Sequence, residues 1–241
     1  MSSSASDAQP TSLPVTFCIK QQEFDSDIFG RPFYRITSFD LDRLGPELAT
    51  VRDIPSVIID AKLPSGEVEQ AAFLMRRGFR KICMQVELIH RLQGTVSASS
   101  AEICPRLELQ PDVLREHARH FLTDRFALDV CLPRESHDKL YEVWMRNSLS
   151  GARHRISVRG NNFVTFRDDG EEVKIDLVSV IDKGKGIGTE VINAVLLDAQ
   201  QRGKRCVRVV TECENVPAIG LYVKTGFKVS CYYTVLHFVG A

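Results

Sequence analysis

The feature that most constrains this chain is a glycine-rich break between two kinds of apolar periodicity. Val173 to Val180 alternates as a strand does, Lys183-Gly184-Lys185-Gly186-Ile187-Gly188-Thr189 interrupts it, and Ile187, Val191, Ile192, Val195, Leu196 and Ala199 then recur at helical spacing. Glycine has no Cβ, so the backbone here can approach a ligand closely. The first-turn N–H groups of the following helix have no intrahelical partner, and the helix dipole favours an anion beside them. The turn therefore reads as a cradle for a pyrophosphate. It is not a P-loop, because Ile187 and Gly188 stand where Lys and Ser/Thr are needed. Nor is it a dinucleotide fingerprint, because Gly184-x-Gly186 is followed by Thr189 in place of the third glycine. A second segment downstream, Asn215-Val216-Pro217-Ala218-Ile219-Gly220-Leu221-Tyr222-Val223-Lys224-Thr225-Gly226-Phe227, reads as the end of a strand, a capped helix and a glycine stop.

Composition limits the partners. Lys plus Arg and Asp plus Glu number 31 each in 241 residues, so no net field draws nucleic acid or an anionic membrane. The apolar runs are strand-sized, and no basic-then-apolar leader opens the chain, so neither membrane span nor signal peptide is expected. Seven cysteines, at 18, 83, 104, 131, 206, 213 and 231, form no Cys-x2-Cys pair and read as reduced thiols in the cytoplasm. His117 and His120 share a helical face but lack an acidic or Cys partner at ligand spacing, so no metal is expected.

The chain divides on this reading into a disordered Ser/Pro-rich tail (1–14), an N-terminal segment (15–92), a polar linker (93–101) and a C-terminal segment (102–241). In the N-terminal segment, 56–60 is a buried strand, a helix runs from about residue 65 to Gly78, and 79–88 is a strand. In the C-terminal segment, helices are expected over 112–126, 138–149, 187 to the stop at Gly203, and 215–225. Strands are expected over 163–167, 173–180, 207–211 and 228–239. Phe73-Leu74-Met75-Arg76-Arg77-Gly78-Phe79-Arg80 and Leu221-Tyr222-Val223-Lys224-Thr225-Gly226-Phe227-Lys228 share one pattern, a faint duplication of a helix–Gly–strand unit. The first copy has Leu74 at the place of Tyr222 and no glycine turn upstream, as expected of a half-copy without a site of its own.

The order strand, glycine turn, helix, strand, Asn-led helix and strand over Phe163 to Phe238 resembles the GNAT N-acetyltransferase superfamily. The resemblance implies an α/β (α+β) GNAT fold: a central mixed twisted sheet flanked by helices, preceded by a partial GNAT-like N-terminal domain. It also implies acetyl-CoA as co-substrate and direct attack by an amine in a ternary complex, without an acyl-enzyme. Phe29-Gly30-Arg31-Pro32, Arg35-Ile36-Thr37, Asp124-Arg125-Phe126, Tyr141-x2-Trp144 and Val209-Val210-Thr211 further resemble the bacterial dTDP-fucosamine acetyltransferase group, which implies a nucleotide-linked amino sugar as the amine. That group's usual Gln after the strand's Thr is Glu212 here, and Lys183 stands where the superfamily usually has Arg or Gln.

By this resemblance the coenzyme A contacts are Val178, Val180, Lys183, Gly184, Lys185, Gly186, Ile187, Gly188, Thr189 and Asn215, and Tyr222 protonates the leaving thiolate. A phenol with pKa near ~10 can donate at neutral pH. Asn215 is also explained by helix capping alone. Asp176 is either the general base or a solvated strand carboxylate, and alternation sets it opposite Ile175 and Leu177. Asp124, Arg125 and Asp129 are candidate substrate contacts, since Arg suits a diphosphate; surface ion pairing would serve equally. Acetylation of another small-molecule or protein amine, or acyl-CoA binding without catalysis, are the alternatives, and a homodimer is left open.

Overall fold

The computed structural model describes residues 17–151 and 155–241; the tail expected at 1–14 lies outside the described residues. In chain order the elements are β1 (Ile19–Gln21), α1 (Glu23–Phe29), β2 (Phe33–Ile36), α2 (Leu41–Arg52), β3 (Ile58–Pro64), α3 (Val68–Met75), β4 (Arg80–Arg91), β5 (Glu102–Cys104), α4 (Pro111–Arg119), α5 (Arg134–Leu149), β6 (Arg155–Arg159), β7 (Asn162–Asp169), β8 (Glu172–Ser179), α6 (Ile187–Gln201), β9 (Cys206–Glu212), α7 (Val216–Lys224) and β10 (Lys228–Val239). All the strands join one mixed sheet, ordered β1-β2-β3-β10-β4-β9-β8-β7-β6-β5 and flanked by helices.

The faint sequence repeat is a structural one. In each half a parallel strand pair (β2 with β3, β8 with β9) is followed by a short helix, a glycine stop and a long strand. Gly78 and Gly226 both take positive φ (84° and 88°), the left-handed conformation that ends a helix without a Cβ penalty. The closing strands are exchanged. β10, from the C-terminal half, pairs with β3 and β4, while β4, from the N-terminal half, pairs with β10 and β9. Residues 92–101 between β4 and β5 hold no helix or strand, yet they lie against α6: Ser99 Oγ donates to the Glu190 carbonyl and Ser100 Oγ to its carboxylate.

Apolar faces close separate cores on this sheet. α6 contributes Val191, Ile192, Val195, Leu196 and Ala199 to a core with Val164, Phe166, Val173, Ile175, Val207 and Val209. Leu44, Leu48 and Leu74 pack with Ile59, Leu63 and Leu236 at the other end. Leu114, Tyr141, Met145 and Leu149 cover Ile156, Phe163 and Leu177.

Several expectations need correction. α4 stops at Arg119 rather than running to Phe126, because the Asp124 carboxylate accepts from Phe126 N (2.9 Å) and Ala127 N (3.3 Å), a local turn that competes with the helix. α5 begins at Arg134, after Pro133, not at Asp138. The alternation assumed for Asp176 breaks. Thr165 and Phe166 are adjacent but face Leu177 and Ile175, so Asp176 is the extra residue of a β-bulge. Ile175 therefore joins the core under α6 and Leu177 the core under α4 and α5.

The exchange predicts that the halves unfold together. Leu236 is fully buried on β10 within the N-terminal core, so Leu236→Ala should cost about 2–5 kcal/mol. In urea it should shift a single transition seen alike by probes in both halves; two transitions, with only one displaced, would contradict this.

Candidate active site

Three residue pairs hold the parallel strands β8 and β9 together: Glu172↔Cys206, Val173↔Val207 and Lys174↔Arg208. Beyond them the strands part, although β8 stays paired to β7 as far as Ser179 and β9 to β4 as far as Glu212. Arg208 pins the fork. It reaches Glu172 on β8 with Nε at 2.6 Å and Glu87 on β4 with Nη1 at 2.7 Å. The bulge at Asp176 falls just past it. The gap opens into a cleft of about 1240 Å³, lined by the edge of β8 from Lys174 to Val180, the glycine turn, the end of β9 and α7. A strand edge released from pairing presents backbone N–H and C=O groups that need partners, which an extended amide-bearing ligand can supply.

The turn is built for close approach. Gly184 and Gly186 take φ of 77° and 78°, and a Cβ on either would meet nothing within 4 Å, so their faces are open. Gly188 has another use: a Cβ there would lie 3.2 Å from Leu221, so this glycine lets α6 and α7 pack closely. Asn162 holds the base of the turn, its Oδ1 accepting from Ile181 N and Asp182 N at 2.9 and 3.1 Å. Val178, Val180, Lys183, Ile187 and Thr189 also line the cleft, whereas Lys185 is outside the lining and pairs with Asp182.

Tyr222 reaches the cleft from α7 and is almost fully buried. Its placement follows from the helix stop. Phe227 N donates to the Tyr222 carbonyl (2.9 Å) around left-handed Gly226, and the two rings pack 5.6 Å apart. Burial, and then the charge of Glu212, push the phenol's pKa up, so it is protonated and able to donate. Asn215 lines the cleft and caps α7, accepting from Ala218 N at 3.3 Å and donating to Thr211 Oγ1 at 3.2 Å. Asp176 lines the cleft with its carboxylate 2.9 Å from Arg167 Nε.

The substrate candidates separate. Arg125 and Asp124 line the cleft; Asp129 does not. Asp129 is held by Arg80 and His237 at 2.8 Å each, an arrangement that draws its pKa down to about 2 against the opposing effect of burial. Asp124 is fixed by its turn and by His137 Nε2 at 2.6 Å. Sequence reasoning missed Arg35 on β2 and Lys62 on β3, which bring two further cations to Arg125 in the same cleft, near the buried Asp60 (Arg35 Nε 2.9 Å, Arg125 Nε 3.7 Å). It also gave no role to Glu212, buried at the end of β9. Arg35 was visible only inside the resembling stretch Arg35-Ile36-Thr37, without a role, and nothing local marks Lys62, whose strand β3 is set beside β10 by the strand exchange. His117 is a core residue, its Nδ1 2.6 Å from Ser179 Oγ, while His120 lies exposed at the cleft.

Residues 164–227 match the model of the acetyltransferase (GNAT) family. The chain is 25% identical over 229 residues to a dTDP-fucosamine acetyltransferase of Escherichia coli O6:H1, covering 90% of this chain and 96% of that one. It is 29% identical over 126 residues to the spore coat polysaccharide biosynthesis protein SpsD of Bacillus subtilis, covering 48% of this chain and 43% of that protein. A solved GCN5-related N-acetyltransferase from Sphaerobacter thermophilus shares the fold with a TM-score of 0.60 at 13% identity, over 92% of this chain and 77% of that one. The forked strands, the glycine turn and the family match converge on an acyl-CoA-dependent acetyltransferase domain of the GNAT kind over residues 164–227.

Proposed function

We propose that this enzyme moves acetyl from acetyl-CoA to the amine of a nucleotide-linked amino sugar, of the dTDP-4-amino-4,6-dideoxyhexose kind, by direct attack in a ternary complex. The observation that carries the substrate is the cation set Arg35, Lys62 and Arg125, which shares one cleft with the glycine turn and Tyr222. A diphosphate is the group that three such cations suit, with the Arg forks taking phosphate oxygens in pairs. Phe121 and Tyr141, stacked at 4.1 Å, with Trp144 beside them, give the same cleft an aromatic wall fit for a nucleobase. Lys62 is held down to about 8, chiefly by burial and then by Arg125, so an anion beside it would restore its full charge. The dTDP-fucosamine acetyltransferase likeness supports the same substrate. All seven cysteines are free thiols, in keeping with a cytoplasmic reaction.

In the reaction so read, the first-turn amides after Gly186 hold the pyrophosphate, and the open edge of β8 near Val178 and Val180 binds the pantetheine amides and polarises the thioester carbonyl. The amine nitrogen attacks that carbon, the C–S bond breaks, the Tyr222 hydroxyl gives its proton to the sulfur, and the nitrogen gives up one proton to a base. Asp176, held by Arg167, borders the amine's path.

A steady-state panel of amino-sugar nucleotides with acetyl-CoA, read by thiol release, tests the substrate. Arg125→Lys keeps the charge and loses the fork; it should raise KM for the nucleotide sugar by about tenfold, the effect of roughly 1.4 kcal/mol of binding, with acetyl-CoA affinity unchanged. An unchanged KM would separate Arg125 from the diphosphate. Gly186→Val forces a branched side chain into left-handed backbone, where it would crowd the pyrophosphate, and should abolish acetyl-CoA binding by calorimetry. Retained affinity would place the coenzyme elsewhere. Tyr222→Phe preserves the ring and removes the donor, so kcat should fall by about 10²–10⁴ with acetyl-CoA affinity near normal; a loss under about threefold would leave thiolate protonation to water.

A further inference from the structure

Five carboxylates line the cleft: Glu87, Asp124, Asp176, Asp182 and Glu212. Four are committed. Arg208 holds Glu87, a backbone turn and His137 hold Asp124, Arg167 holds Asp176, and Lys185 with Asn162 holds Asp182. Glu212 is different. It is 8% exposed, it accepts on Oε1 from the neutral amide of Gln85 at 2.8 Å, and it forms no ion pair among the described residues. It sits at the last residue of β9, past the fork, where β9 is no longer paired with β8.

We propose that Glu212 takes the proton released by the attacking amine. This rests on the amine-acetylating reading above. The amine enters as its ammonium ion, which a buried carboxylate in no ion pair attracts. Glu212 first takes one proton from the ammonium, the freed lone pair forms the N–C bond, the C–S bond breaks and Tyr222 protonates the thiolate. The second nitrogen proton passes to solvent, which returns one proton to Tyr222 and later removes the one held by Glu212. Tyr222 senses the charge of Glu212, as do Lys62 on β3, Cys83 on β4, and Tyr141 on α5. Asp124 and Arg125 face Glu212 from the loop between α4 and α5, Arg125 favouring its anion and Asp124 opposing it. Burial raises the Glu212 pKa towards the working range of a general base, with Gln85 and Arg125 moderating the rise.

The test compares wild type with Glu212→Gln and Glu212→Asp, using whichever amine the wild type acetylates fastest. A wrong sugar would thus change the substrate without changing the comparison between variants. In Glu212→Gln, kcat/KM should fall by about 10²–10⁴ near pH 6. The deficit should then close by about tenfold per pH unit up to the amine's own pKa, because the variant depends on amine already deprotonated in solution. Glu212→Asp should recover part of the rate, and acetyl-CoA affinity should be unchanged in both. A loss under about threefold, or a loss of equal size at every pH, would overturn the proposal; the second result would assign Glu212 to holding Gln85 and β4.

Discussion

Parallel strands β8 and β9 are hydrogen-bonded over only three residue pairs before they separate, and the rest of the site depends on that separation. A sheet interior seldom leaves backbone groups unpaired, because each buried donor or acceptor left without a partner costs free energy comparable to a lost hydrogen bond. Here the gap is permitted because it opens to a cleft, and it is maintained by specific groups. Arg208 ties β9 to Glu172 and Glu87 at the fork, and the bulge at Asp176 turns β8 so that Ile175 and Leu177 anchor in different cores. Asn162 fixes the glycine turn just past the strand's end. The positive edge of α6 and the open edge of β8 thus face the same space.

Strand exchange supplies what the fork alone lacks. With β10 lying between β3 and β4, the N-terminal half is part of the same sheet as the catalytic elements, and it brings Arg35 and Lys62 into the cleft that holds Tyr222. Buried Asp60 compensates these cations. Burial opposes its ionisation, but Arg125, His237 and Arg35 outweigh that and hold its pKa far below the usual carboxylate range. The half-copy, with Leu74 fully buried where the other copy carries Tyr222, contributes positive charge to the cleft lining.

What was legible in the sequence was local. The glycine turn, the amphipathic α6, the Asn215 cap and the Gly226 stop each depend on residues close in the chain, and so did the helix–Gly–strand repeat. What was not legible depended on pairing. A repeat does not say which strand its closing segment joins, so the exchange of β4 and β10 was invisible. Period-two alternation cannot reveal a bulge that breaks it at Asp176. Lys62 carries no motif, Arg35 stood only within a resembling stretch that gave it no role, and Glu212 was visible only as a residue differing from a resembling group's Gln, its burial beside Gln85 being a matter of β4 meeting β9. Asp129 looked like a loop carboxylate because nothing nearby in sequence announces Arg80 or His237.

The central claim is that acetyl-CoA occupies the gap between β8 and β9, completing the sheet's missing hydrogen bonds. A crystal structure of the chain with coenzyme A bound tests it most directly. The pantetheine should lie between Asp176–Val180 and Val209–Thr211, its amides bonded to the β8 backbone, with the pyrophosphate on the first-turn N–H groups after Gly186. Coenzyme bound elsewhere, or strands closed together with their backbones paired past Lys174 and Arg208, would contradict it.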